Sequence, residues 1–73
     1  MAEFYISVDF NTERFHEALK KKKWNRKRLS FATGISYDTI KKYSSGKFCP
    51  SGRVLYIIAK ALDVPMEELM KEI

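Results

Sequence analysis

Between Lys20 and Lys47 the chain carries ten Lys and Arg side chains against one acid, Asp38, a local charge of +9. Its flanks do not share it: residues 1–19 carry −3, residues 48–62 carry +2 and residues 63–73 carry −3, leaving +5 overall. Guanidinium and ammonium groups at this density form charge-assisted hydrogen bonds to oxyanions. A basic block between acidic ends implies a polyanion at one face. Lys20 to Lys23 close a helix and partly serve its dipole. Arg26, Lys27 and Arg28 instead open the next helix, where the dipole disfavours cations, and a bound phosphate would account for them. Further on, Tyr37, Asp38, Thr39, Lys41 and Lys42 set donors and acceptors on the outer side of one short helix; the plainer alternative is a solvated surface helix. Other chemistries lack their parts. There is no paired-carboxylate constellation or His-based triad, His16 is the sole histidine, and the lone Cys49 forms neither an internal disulfide nor a zinc cluster. No enzyme activity, metal, cofactor or small-molecule ligand is expected.

Two helices must hold these groups. Asn25 caps the first of them, Arg26 to Thr33, and Trp24 staples to Leu29. Leu29 and Ala32 face inward, and Phe31 is partly buried. Gly34 stops that helix in a left-handed conformation open to Gly. Ser36 then caps a helix from Tyr37 to Ser44, Ile35 staples to Ile40, and Ile40 and Tyr43 point inward. The connection Gly34-Ile35-Ser36 is short enough to force a sharp angle between the two. A short helix with a polar, donor-rich outer face looks like a recognition helix.

The remaining elements form the support. Asn11 caps a helix from Thr12 to Lys22, whose Phe15, Ala18 and Leu19 make an inward stripe. The loop from Ser44 to Pro50 has Gly46 as its helix stop. A fourth helix follows Ser51 to about Leu62; Val54, Leu55, Ile58, Ala59 and Leu62 line its buried stripe, widened by Tyr56 and Ile57. A fifth, Met66 to Ile73, places Met66, Leu69, Met70 and Ile73 on one face. At the other end, Phe4, Ile6, Val8 and Phe10 alternate with polar residues, the period of a strand. No second strand is evident to pair with it, so it is either an unpaired edge, which invites another chain, or an arm packed on the helices.

Seventy-three residues support one small core. The division expected is residues 1–10 as strand or arm and 11–73 as the helical domain. The sequence has no apolar run of membrane-spanning length and no signal-peptide pattern at its start, which fits a cytoplasmic protein.

The stretch from about Glu13 to Met70 resembles the phage-repressor/Cro-type (XRE-like) helix-turn-helix family. Trp24-Asn25-Arg26, Leu29-Ser30, Gly34-Ile35-Ser36, Thr39-Ile40, Gly46-Lys47, Pro50, Leu55, Ile58 to Val64 and Leu69 carry the resemblance. It implies an all-α, compact five-helix, lambda-repressor-like domain; the extra N-terminal β-strand, read from the alternation, lies outside the stretch that the resemblance covers. It also implies double-stranded DNA as partner, with the third helix in the major groove. Tyr37, Asp38, Thr39, Lys41 and Lys42 would read bases. Lys23, Asn25, Arg26, Lys27, Arg28, Ser45 and Lys47 would contact phosphates, Lys47 through its charge and its loop through N–H groups. Three positions depart from the pattern. Leu19 and Ser44 replace an Arg–Glu pair together, leaving no orphan charge. Ser30 replaces the usual Ala. Pro65 stands where a Ser or Thr caps the fifth helix, so Asp63 is the alternative cap.

The function expected is therefore that of a sequence-specific transcriptional regulator, a small phage- or mobile-element-type repressor associated with the nucleoid. The alternative is a protein-interaction module, antitoxin-like or binding a regulator partner, built on the same fold. One recognition helix reads few base pairs, so a homodimer on a palindromic operator is expected. Its contact would come from Phe4, Ile6 and Val8 on the strand, or from Met70 and Ile73 on the fifth helix.

Overall fold

The computed structural model describes residues 8–72. In chain order they form β1 (Val8–Phe10), α1 (Thr12–Lys22), α2 (Arg26–Thr33), α3 (Tyr37–Ser44), α4 (Gly52–Leu62), a 3-10 turn (Met66–Leu69) and β2 (Met70–Glu72). Each α-helix starts on a side chain that accepts a first-turn amide: Asn11 from Arg14, Asn25 from Arg28, Ser36 from Thr39 and Ser51 from Val54. Each such bond satisfies a donor that the helix cannot pair internally. α1 and α4 end on left-handed residues, Lys23 at φ 60° and Asp63 at φ 59°, and α2 ends on Gly34 at φ 77°. α3 ends at Ser45, with Gly46 taking φ 82° just beyond it.

The core is a single cluster. Phe15, Leu29, Ile40, Ile58 and Leu69 are fully buried, joined by Phe10, Ala18, Leu19, Leu55, Ala59 and Leu62. Removing an aliphatic or aromatic side chain of this kind from water is worth about 1.5–3 kcal/mol, so every element that contributes one is held. α2 buries Leu29 alone. Ala32, expected inward, is exposed, and Phe31, expected half-buried, is 83% exposed. A helix of eight residues lying across its neighbours turns only one narrow stripe to the core. Tyr56 and Ile57 likewise fall outside the buried stripe of α4 and face solvent.

The ends of the chain differ most from expectation. Among the described residues there is no fifth α-helix. Pro65 supplies neither an amide hydrogen nor a capping side chain, and the chain makes one 3-10 turn before Met70 adopts φ −120°, ψ 149°. The strand so formed is the missing partner of the N-terminal one. β1 and β2 pair antiparallel with Val8 opposite Glu72, Asp9 opposite Lys71 and Phe10 opposite Met70. The Asn11 amide adds a bond to the Leu69 carbonyl at 2.8 Å. The fold is thus mainly helical with a two-stranded sheet, not all-α. The physical gain is clear: the extended segment pairs backbone groups of β1 that would otherwise lack partners, while Leu69 and Phe10 both enter the core. Asp63 ends α4 instead of capping a fifth helix. Phe4, Ile6 and Ile73 lie outside the described residues.

Candidate nucleic-acid interface

The turn between α2 and α3 is stitched by hydroxyls. Ser30 donates to the Ile35 carbonyl. Thr33 donates to the Leu29 carbonyl at 2.8 Å and accepts from the Ile35 amide at 3.2 Å. Ser30 is therefore more than a small-for-small replacement of Ala: it fixes the angle at which α3 leaves the turn. Ser36 accepts the Thr39 amide at 3.2 Å and donates to the Thr39 hydroxyl at 2.8 Å. The first turn of α3 is accordingly closed by its own cap, without a ligand.

On this frame Arg26, Asp38, Lys41, Lys42, Ser45 and Lys47 line one open hollow. It brings together the start of α2, the outer face of α3 and the loop after it. Five of the six expected base-reading or phosphate-contacting groups in it are charged, and the hollow carries a surplus of cations. Arg26 reaches across it to donate to Ser44 Oγ at 3.3 Å. Ser44 is buried and in turn donates to the Lys41 carbonyl at 3.1 Å. The hydroxyl at the position where the family pattern has a Glu thus anchors a guanidinium from α2, while Leu19 is simply buried in the core.

Tyr37 is half-buried beside this hollow, with three cations around its ring. Lys41 Nζ lies 5.2 Å, Lys27 Nζ 5.7 Å and the Arg26 guanidinium carbon 6.0 Å from the ring centre. The negative face of the ring attracts them, so like charges from two helices gather at one place. Asp38 lies 3.9 Å from Lys41 in an exposed ion pair, which screening makes weak.

Several expected contacts take a different form. Asn25 uses its side-chain oxygen on the Arg28 amide at 2.8 Å, leaving its amide group for a ligand. The amides of Ser45, Gly46 and Lys47 donate to the carbonyls of Lys41, Tyr43 and Lys42 at 3.0, 3.1 and 3.1 Å. The Ser45 hydroxyl donates to the Lys42 carbonyl at 3.0 Å. These bonds close the carbonyl end of α3, so the loop's offer to a phosphate rests on the Lys47 ammonium. Arg28 does not join the hollow. It lies against Trp24 and Phe31, at 5.0 and 5.9 Å from their ring centres, and Lys22 covers Trp24 at 4.6 Å. Lys23 is the exposed left-handed residue that ends α1.

Residues 15–69 match the sequence profile of the helix-turn-helix family. The chain belongs to the helix-turn-helix family. In this family member α2 and α3 are the paired helices, meeting across Gly34-Ile35-Ser36. Among solved structures, the restriction-modification controller protein C.AhdI from Aeromonas hydrophila is 24% identical with a TM-score of 0.74, over 80% of this chain and 88% of that one. A candidate DNA-binding protein from Bacteroides fragilis is 26% identical with a TM-score of 0.75, over 89% of this chain and 100% of that one. The transcriptional regulator VanUg is 16% identical with a TM-score of 0.75, over 100% of this chain and 96% of that one. No curated protein matches.

Two exposed aromatics of this helix-turn-helix protein escape sequence reasoning. Phe48, 54% exposed, lies in the loop beside Lys42, and Phe31 lies on the outer side of α2. Phe31 is expected half-buried because periodicity over an eight-residue helix is too short to place it outside, and Phe48 is read only as part of a loop.

Proposed function

We propose that the chain is a sequence-specific double-stranded DNA-binding regulator of transcription that lays α3 in the major groove as a small repressor of the phage or mobile-element type. One observation carries the reading: the hollow in which Arg26, Lys41, Lys42 and Lys47 converge between the start of α2 and the end of α3. Arg26 and Lys47 both line it and would serve phosphates, and Lys27 joins Arg26 beside Tyr37. Lys42 extends from the last turn of α3, where an ammonium can donate to guanine O6 and N7. Thr39 offers its methyl to a thymine or its hydroxyl proton to a base acceptor, its oxygen accepting from Ser36. Asp38 accepts from a cytosine amino group or remains with Lys41. Lys23, Asn25 and Arg28 serve phosphates further along the backbone.

The test is a random-oligonucleotide selection followed by a salt titration on the selected duplex. A defined site is expected, and if about six phosphates are neutralised, log K falls against log salt with a slope of roughly −5. Equal affinity for all duplexes at physiological salt, or a flat salt response, refutes the reading.

The protein is proposed to act as a homodimer on a palindromic operator, because α3 alone spans too few base pairs for useful specificity. The joined ends of the chain remain the proposed contact, with a changed basis. β1 uses one edge on β2, and Met70 is half-buried against the core. The contact proposed for a second chain is the outer edge of the sheet together with Phe4, Ile6, Val8 and Ile73. Sedimentation of a chain lacking residues 1–7 checks this. It keeps β1 intact, and an unchanged dimer removes Phe4 and Ile6 from the contact.

A second reading, a protein-interaction module, draws on the exposed Phe31, whose ring is 83% accessible beside Arg28. It is compatible with DNA binding, since this ring lies away from the hollow lining.

A further inference from the structure

Phe48 is a large apolar side chain that the packing of the fold does not explain. It is 54% exposed and is not one of the buried residues that form the core, whereas Pro50, two residues on, is buried. It lies within the basic part of the surface, directly after Lys47. Lys42 Nζ lies 5.3 Å from the centre of its ring. The backbone holds the two in that relation. The Lys42 carbonyl accepts both the Lys47 amide at 3.1 Å and the Ser45 hydroxyl at 3.0 Å, so the loop is bound to the last turn of α3.

A lysine on a flexible four-carbon stem explores many positions, and its ammonium is a point charge without a fixed fork. Reading one base with it requires that this freedom be reduced. The face of an aromatic ring does so by attracting the ammonium. The ring in turn gains when a partner covers it, because a duplex offers apolar surface in deoxyribose and in the thymine methyl. The two halves reinforce each other: desolvation of the pair on binding strengthens the cation–ring attraction.

Resting on the DNA reading above, we infer that Phe48 is a further DNA-contacting residue, whose ring meets apolar surface of the duplex and fixes the position from which Lys42 donates. Phe48 is thus a specificity determinant contributed by the loop, beyond the residues of α3.

The experiment measures the full chain on its selected duplex and on single-base variants of it. Phe48→Ala is expected to weaken the preferred site by about three- to thirtyfold, the range that a cation–ring contact spans from exposed to desolvated. The loss should centre on the base pair that Lys42→Ala also relaxes. The double substitution should lose less than the product of the two single losses. Phe48→Tyr keeps the ring and should retain the base preference; Phe48→Leu keeps apolar contact without the ring and should lose that preference. Thermal melts of all variants should coincide with the wild type, since the ring is outside the core. A Phe48→Ala protein that binds like wild type overturns the inference, as do losses that simply multiply or a Leu variant that retains the base preference. A wild type that selects no site overturns the DNA reading and this inference with it; a selected site that is indifferent to Phe48 overturns the inference alone.

Discussion

The helix-turn-helix and the joined ends of the chain reach their shapes by opposite routes. In α2 and α3 every boundary is set within a few residues of it: Asn25 on the Arg28 amide, Gly34 at φ 77°, Ser36 on the Thr39 amide and the Ser45 hydroxyl on the Lys42 carbonyl. At the ends the local signal, Pro65, only withholds a cap and does not make a strand. Met66–Leu69 has no side-chain cap, and β2 exists because β1, from the far end of the chain, pairs with it. Local closure gives an element that is preformed and can present side chains at fixed positions. Long-range closure gives one whose conformation depends on the rest of the domain being folded. The difference suits the roles proposed for them, since a surface that reads bases needs rigidity and the ends need to close the core.

The largest test of that contrast is Leu69→Ala. If the terminal unit belongs to the core, emptying this fully buried site should cost about 2–5 kcal/mol in denaturant or thermal unfolding. A loss below about 1 kcal/mol would make the ends an appendage and erase the contrast.

Next in size is the separation of roles within the interface. Lys42→Ala should weaken the preferred duplex by about 1–3 kcal/mol and relax one base position, whereas Lys47→Ala should weaken all sequences alike and reduce the salt slope by about 1. Identical profiles for the two would mean that the hollow positions DNA without reading it.

Ser36→Ala probes local closure directly. It removes the acceptor for the Thr39 amide and the hydroxyl bond to Thr39, and should cost about 1 kcal/mol of stability. Because α3 loses its fixed first turn, DNA affinity should fall as well. Lost stability with affinity unchanged would show that a preformed turn is not needed for binding.

The smallest effect is expected at the sheet. Lys71→Glu places an acid opposite Asp9, and like charges facing across two strands should destabilise by roughly 0.2–1 kcal/mol, less at high salt. Stability gained instead would argue against this register.

The limits of the first four helices were legible in the sequence because each depends on contacts over three or four residues. The cap residues Asn11, Asn25, Ser36 and Ser51 and the stop at Gly34 announce themselves by type and position. The basic block was legible for the same reason: charge needs no fold to be counted. What could not be read there was decided at long range. The partner of the N-terminal strand lies at the opposite end of the chain, so periodicity in Met66 to Ile73 pointed to a helix that Pro65 does not start and β1 does not permit. Phe31, Tyr56 and Ile57 carry the same lesson, since hydrophobicity says that a side chain prefers burial, while only the packed neighbours decide whether burial is on offer. Tertiary structure also determined which cations act together: Arg26 and Lys27 meet Lys41 around Tyr37, while Arg28, next in sequence, lies against Trp24 and Phe31. Sequence order sets the charge of a segment, but the direction in which each residue leaves the helix sets the surface on which that charge is spent.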